Sequence, residues 1–92
     1  MNIIKTKIRA RDFIIGYFGE HYQVKAEDIV KASEEEKIPI GTLRRVKSKL
    51  GIVSVQHYRC WYWVIKNLST YNKAREEFYR DNSIATTGDN NG

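Results

Sequence analysis

A change of hydrophobic period at Gly51 is the feature that most constrains the fold of this chain. Before it, residues 40–50 carry apolar side chains at helical spacing, and Pro39 and Gly51 bound that segment as helix breakers. The apolar positions are Ile40, Leu43, Val46 and Leu50. After it, residues 52–65 alternate with a period of two and are rich in β-branched and aromatic side chains, as strands are. The sequence therefore predicts a helix followed directly by a β-hairpin.

The large apolar side chains of the predicted hairpin suggest its register. A three-residue loop over 57–59 pairs Val55 with Trp61. It also pairs Val53 with Trp63, which places all four side chains on one core-facing side. The opposite side then carries Ile52, Ser54, Gln56, Cys60, Tyr62 and Val64. An odd loop length is expected, because a slip by one residue would mix the two sets.

Two further helices are predicted before this unit. Residues 10–20 place Ala10, Phe13, Ile14, Tyr17 and Phe18 on one helical stripe. A short β-prone link at 22–24 leads to a second helix over 27–37, which is closed by Pro39 because proline cannot continue the preceding helix. The inward side of the second helix is formed by Ile29, Val30 and Ser33.

After the hairpin, residues 68–70 offer a cap for a last helix over about 71–80. Residues 82–92 contain little apolar content and are predicted to be a disordered tail. The expected fold is a single α+β domain over 1–81, of the winged helix-turn-helix type. It has a three-helix core, a two-stranded wing over 52–65 and an extra C-terminal helix.

The charge distribution indicates a polyanionic partner. The net charge is +5, and no acidic residue lies between Glu36 and Glu76, whereas the cations of that window are Lys37, Arg44, Arg45, Lys47, Lys49, Arg59, Lys66, Lys73 and Arg75. A run of cations like this often forms only a solvent-exposed surface that binds no partner. Its position on the helix over 40–50, between a turn and a hairpin, favours contact with double-stranded DNA.

Two groups of residues are the candidate DNA contacts. On the predicted recognition helix they are Thr42, Arg44, Arg45, Ser48 and Lys49, with Lys47 nearer the buried edge. At the tip of the wing they are Gln56, His57, Tyr58 and Arg59. The outward arc of the helix has no Asn or Gln to read adenine, while the wing offers four different polar groups. We therefore expect the wing to contribute at least as much sequence discrimination as the helix.

The segment from Ala32 to Ile52 together with Trp61-Tyr62-Trp63 resembles small winged-helix domains attached to plasmid and phage primases and related mobile-element proteins. A Thr-Leu-basic-Arg start, a Leu-Gly end and a Trp-x-Trp strand recur there. The resemblance covers about half of the chain, and we expect the chain to act without a primase or ATPase module of its own. It implies a DNA-binding accessory protein of a plasmid or conjugative element, acting in transfer or replication with the proteins of those processes. A transcriptional regulator fits the same residues.

The sequence predicts a protein without enzymatic activity, metal site or cofactor. Cys60 is the single cysteine, and the two histidines, His21 and His57, have no partner at ligand spacing. Nucleophilic chemistry on the six tyrosines would need positioned bases or metal ligands that the sequence does not supply. The lone thiol fits a reducing cytoplasm, and no apolar run approaches the length of a membrane span.

Two alternatives to duplex binding remain open. Trp61 and Trp63 could stack the bases of single-stranded nucleic acid, although a core role is favoured by their pairing with the valines. The stripe formed by Ile4, Ile8 and Ile15, with Tyr71 and Phe78, could dock another protein. We interpret this stripe as a homodimer surface, with packing onto the chain's own core as the competing interpretation.

Overall fold

The computed structural model describes the backbone of residues 3–91 and the side chains of residues 5–81. Within this part the chain forms a small α+β domain with four helices and a three-stranded antiparallel sheet. The elements are α1 (Ile3–Phe18), β1 (Gln23–Lys25), α2 (Ala26–Glu35), α3 (Ile40–Lys49), β2 (Ile52–His57), β3 (Cys60–Ile65) and α4 (Leu68–Asn91). The strand order is β1-β3-β2, so β3 is the central strand.

The core lies between the helices and the base of the sheet. Its buried apolar side chains are Ala10, Ile14, Ile15, Phe18, Ile29, Ile38, Leu43, Val46, Leu50, Ile52, Trp63 and Tyr71. The predicted stripe of α1 is confirmed at Ala10, Ile14 and Phe18, whereas Tyr17 is exposed. α1 begins at Ile3, well before the predicted start, because its first two turns contain no breaker.

α2 ends two residues earlier than predicted. Lys37 takes a left-handed backbone conformation with φ +59°. Its N–H bonds the carbonyl oxygen of Glu34 at 3.0 Å, and the N–H of Ile38 bonds that of Ser33 at 3.0 Å. This pattern is a Schellman motif, which satisfies two carbonyl groups that the helix end leaves free. Ile38 is buried and anchors the turn, so Pro39 precedes α3 and does not itself terminate α2.

Gly51 joins α3 to the hairpin, and its role as the stop of α3 is confirmed. It has a left-handed φ of +77°, which glycine adopts without a steric penalty. Its N–H donates to the carbonyl oxygen of Ser48 at 3.1 Å. Its carbonyl oxygen accepts the N–H groups of Lys66 at 2.9 Å and Asn67 at 3.0 Å. The start of the hairpin is therefore tied to the segment that follows its end.

The predicted register of the hairpin is wrong by one residue. The connecting loop has two residues, Tyr58 and Arg59, and not three. Trp61 pairs with Gln56, and Trp63 pairs with Ser54. Tyr58 has a φ of +56°. Arg59 is not among the residues with a positive φ, and a positive φ at the first loop position alone indicates a type II′ turn, which usually has a glycine there.

This register gives the two tryptophans different environments. Val53 and Val55 lie on the face opposite to Trp61 and Trp63, because side chains alternate along a strand. Trp63 is buried, but Trp61 is 51% exposed. β2 changes from buried at Ile52 to exposed at its far end, so the hairpin projects beyond the helices. The prediction that both tryptophans and both valines form the core is therefore wrong.

α4 is longer than the predicted helix over 71–80, since it spans Leu68–Asn91. The N–H of Thr70 bonds Oδ1 of Asn67 at 3.0 Å, so the cap is Asn67 and not the predicted segment 68–70. The helical backbone continues where the sequence predicts a disordered tail. The side chains of residues 82–92 lie outside the described part, and the disorder stays a prediction.

The predicted dimer stripe is largely used by the chain's own core. Ile15 and Tyr71 are buried, and Phe78 packs against the same core. Tyr71 contacts Phe18 with ring centroids 5.9 Å apart. Ile8 is 43% exposed, while the side chain of Ile4 lies outside the described residues. Packing onto the chain's own core therefore accounts for the stripe better than a dimer surface does. Homodimerisation stays a prediction.

Candidate nucleic-acid interface

The outward face of α3 carries the residues that its helical spacing predicts. Leu43 and Val46 turn inward and are buried, whereas Ile40, which the spacing placed on the same inward arc, is 41% exposed. Gly41, Arg44, Arg45, Ser48 and Lys49 are exposed, and Thr42 is half-buried. At about 100° per residue, Arg44 and Lys47 lie on one flank of the exposed face, and Thr42 and Lys49 on the other.

The tip of the hairpin is equally open to solvent. Gln56, His57, Tyr58 and Arg59 are all exposed, and Tyr58 is 88% exposed. The rings of His57 and Tyr58 meet edge to face, with their centroids 4.4 Å apart. These four side chains are therefore accessible to a partner.

A cleft of about 500 Å³ lies between the start of α2, α3 and the hairpin. Its cations are Lys25, Arg44, Lys47 and Arg59. They come from β1, α3 and the turn of the hairpin, and Glu27 is the one carboxylate among the described residues lining the cleft. Trp61 and Trp63 supply its aromatic wall. The cleft thus combines excess positive charge with an exposed ring, the pairing of groups that suits nucleic acid.

Lys47 is held in place inside this cleft. Its Nζ donates to Oγ of Ser54 and lies 4.9 Å from the ring centroid of Trp63. Partial burial lowers the pKa of Lys47, and the nearby positive charge of Arg44 lowers it further. A cation that is desolvated next to a like charge is stabilised when an anion binds beside it.

The structure brings together only some of the predicted contacts. Arg44 of α3 and Arg59 of the hairpin tip line the same cleft. Lys49 instead lines a smaller, mostly apolar groove of about 280 Å³ with Lys7 and Arg11 of α1. The cations on the two flanks of α3 therefore lie beside different elements: Arg44 faces the hairpin, and Lys49 lies beside α1.

Sequence reasoning missed Lys25 and Ser54 as residues of the cleft, and it named Trp61 only in the alternative of base stacking. Lys25 was not singled out, because nothing local shows that the residue before α2 faces the hairpin. Ser54 and Trp61 were misplaced by the register. A two-residue loop was the alternative that would have found them, because it places Trp61 next to Gln56 at the open end of the hairpin.

Neither histidine is placed in a chemical cluster. Nδ1 of His21 lies 3.2 Å from the carbonyl oxygen of Phe18, and His57 contacts Tyr58. Among the residues that the structure describes, no three potential metal ligands come together. In the same part of the chain, no helix combines the length and the apolar character that crossing a membrane requires.

Comparison of the chain with models of known protein families gave no match. Comparisons with curated proteins and with solved structures also gave none. The resemblance to primase-associated winged-helix domains therefore stays an expectation drawn from the sequence motifs.

Proposed function

We propose that this chain is a winged helix-turn-helix protein that binds double-stranded DNA as an accessory factor of a plasmid or mobile element. The observation that carries the proposal is the shared cleft of Arg44 and Arg59. These cations come from α3 and the hairpin tip, the two elements that a winged helix brings to DNA. In the order of elements, α1 to α3 followed by the hairpin, α3 corresponds to the recognition helix and the hairpin to the wing.

The cations of α3 are arranged as a helix in the major groove requires. Such a helix has a phosphate backbone on each side, so cations are needed on both of its flanks. Arg44 and Lys47 serve the hairpin side, and Lys49 with Lys7 serves the other. Gly41, Arg45 and Ser48 lie between the flanks and face the bases. Arginine at such a position binds guanine through two hydrogen bonds.

The first test is the salt dependence of binding to a random duplex, followed by fluorescence anisotropy between ~50 and ~200 mM salt. Affinity is expected to fall steeply, because each neutralised phosphate releases counterions. Arg44→Ala should weaken binding to every sequence and reduce the slope by about one unit. Lys73→Ala is the matched control, since Lys73 is an exposed cation on α4. Binding that does not change with salt, or equal losses in the two variants, would contradict the proposal.

The second test locates sequence discrimination. After selection of a preferred duplex from a random pool, Arg59→Ala should cost about 1–3 kcal/mol on that duplex and much less on random DNA. His57→Ala should act in the same direction. Tyr58 is left unchanged because its left-handed φ sets the turn. If the preference survives both changes and collapses in Arg45→Ala, the helix and not the wing reads the sequence.

A transcriptional regulator would use the same contacts, and the position of the selected duplex distinguishes the roles. A site that overlaps a promoter supports regulation, and a site in a transfer or replication origin supports the accessory role. Absence of binding to any DNA would favour a protein-docking module, whose surface would include the groove beside Ile8.

A further inference from the structure

The hairpin register leaves Trp61 without a structural role in the core. It lies on the same face as buried Trp63, two residue pairs nearer the tip, and is 51% exposed. Its ring lines the cationic cleft and does not pack under the helices. A large aromatic side chain kept in solvent among cations is the arrangement that stacks a nucleic-acid base.

The dimensions and charges of the cleft fit a nucleotide. Its volume of about 500 Å³ is sufficient for a base with its sugar and phosphate. Lys25, Arg44 and Arg59 surround the space with positive charge, which suits a phosphate chain that continues on either side. Within a paired duplex both faces of each base are covered by its neighbours. Apart from the outer face of a terminal pair, only an unpaired base offers a face to Trp61, and only an unpaired base can enter the cleft by itself.

We propose that the cleft holds an unpaired nucleotide, with its base on Trp61 and its phosphates among Lys25, Arg44 and Arg59, so that the protein prefers a junction between duplex and single strand. This inference rests on the proposed function, because α3 holds the paired part of the same DNA. It assigns the hairpin a second task, that of selecting DNA that is already partly opened.

The test compares a blunt duplex with the same duplex carrying a single-stranded extension, in each polarity, by anisotropy. The wild-type protein is expected to bind a junction on the order of tenfold more tightly than the blunt duplex. Trp61→Ala should abolish this preference, so that the variant binds junction and blunt duplex equally. Trp61→Tyr should restore part of it, because a smaller ring still stacks. Tyr79→Ala, which removes an aromatic side chain that is 50% exposed on α4, is the control.

Cys60 provides an independent readout, because it is the single cysteine, is exposed and lines the cleft. Junction DNA should slow its reaction with a maleimide, and blunt duplex should slow it less. Circular dichroism checks that each variant is folded.

The outcomes separate the two proposals. Equal binding of junction and blunt duplex overturns the inference and leaves the proposed function standing. Tight binding of single strands without duplex binding supports the cleft and overturns duplex recognition. A preference that persists in folded Trp61→Ala overturns the role of Trp61. Protection of Cys60 by an acidic peptide but by no DNA overturns both and assigns the cleft to a protein partner.

Discussion

Replacing Gly51 by alanine tests the connection between α3 and the hairpin. Two costs arise at this position. The φ of +77° is left-handed, which costs a residue with a side chain about 1–2 kcal/mol. The added methyl group would also lie 2.8 Å from both the Cβ atom and the carbonyl oxygen of Asn67. Asn67 caps α4 and bonds the carbonyl oxygen of Gly51, so it cannot retreat without losing hydrogen bonds.

Overpacking of this kind costs about 1–3 kcal/mol, so the free energy of unfolding should fall by about 2–5 kcal/mol in Gly51→Ala. For a domain of this size, a loss of 1 kcal/mol lowers Tm by about 4–8 °C, and a drop of at least about 8 °C is expected. Urea titration and thermal melts followed by circular dichroism measure both quantities.

Gly16→Ala is the matched control for this substitution. Gly16 lies on the exposed side of α1, and a methyl group there meets nothing within 4 Å among the described residues. Alanine is the better helix former, so stability should rise by about 0.5–1 kcal/mol. If Gly51→Ala melts at or above the wild-type temperature, neither the left-handed strain nor the clash with Asn67 exists as described.

Two further predictions concern the turn after α2 and the cleft. Lys37→Gly should raise the free energy of unfolding by about 1 kcal/mol, because glycine removes the left-handed penalty at φ +59°, and a loss in urea titration would contradict the assigned turn. DNA affinity should fall as the pH rises through the lowered pKa of Lys47, below its ordinary 10.5, since only the charged form attracts phosphate. Lys47→Arg keeps its charge, so anisotropy titrations should show its affinity holding to a higher pH, and identical pH profiles would exclude Lys47 from the contact.

The sequence was sufficient for α3 because its limits are local. Pro39 and Gly51 act as breakers through their own backbone chemistry, and they require no information from the rest of the chain. Once the ends are set, the helical period determines which side chains face outward. The exposed arc around Arg44, Arg45 and Ser48 was therefore predicted correctly.

The ends of the chain were harder to predict because they depend on each other. Arg11 of α1 bonds Asp81 of α4 at 2.9 Å, and Phe18 meets Tyr71 across the same interface. Each helix alone has an apolar stripe with no visible partner. A stripe that another part of the chain covers has the same sequence pattern as one that a second copy covers, so Ile15 and Tyr71 resembled a dimer surface.

The register failed because the sequence does not show how far the helices reach along the hairpin. The predicted register assumed that one whole face of the hairpin is buried. This assumption favours the pairing that places Val53 and Val55 on the same face as the two tryptophans. The helices cover only the base of the sheet, where Ile52 and Trp63 complete the core. Burial therefore decreases along the hairpin towards its tip. The stable register then leaves large apolar side chains on both faces of the hairpin.

This register also decides the chemistry of the cleft. Trp61 and Trp63 always share a face, because they are two residues apart on one strand. When Trp63 closes the core, Trp61 must extend over the open end of the same face, among Lys25, Arg44 and Arg59. A slip by one residue would turn both rings away, removing a core side chain and the aromatic wall together. The stability of the fold thus enforces the placement of Trp61, which supplies the surface on which the proposed unpaired base would stack.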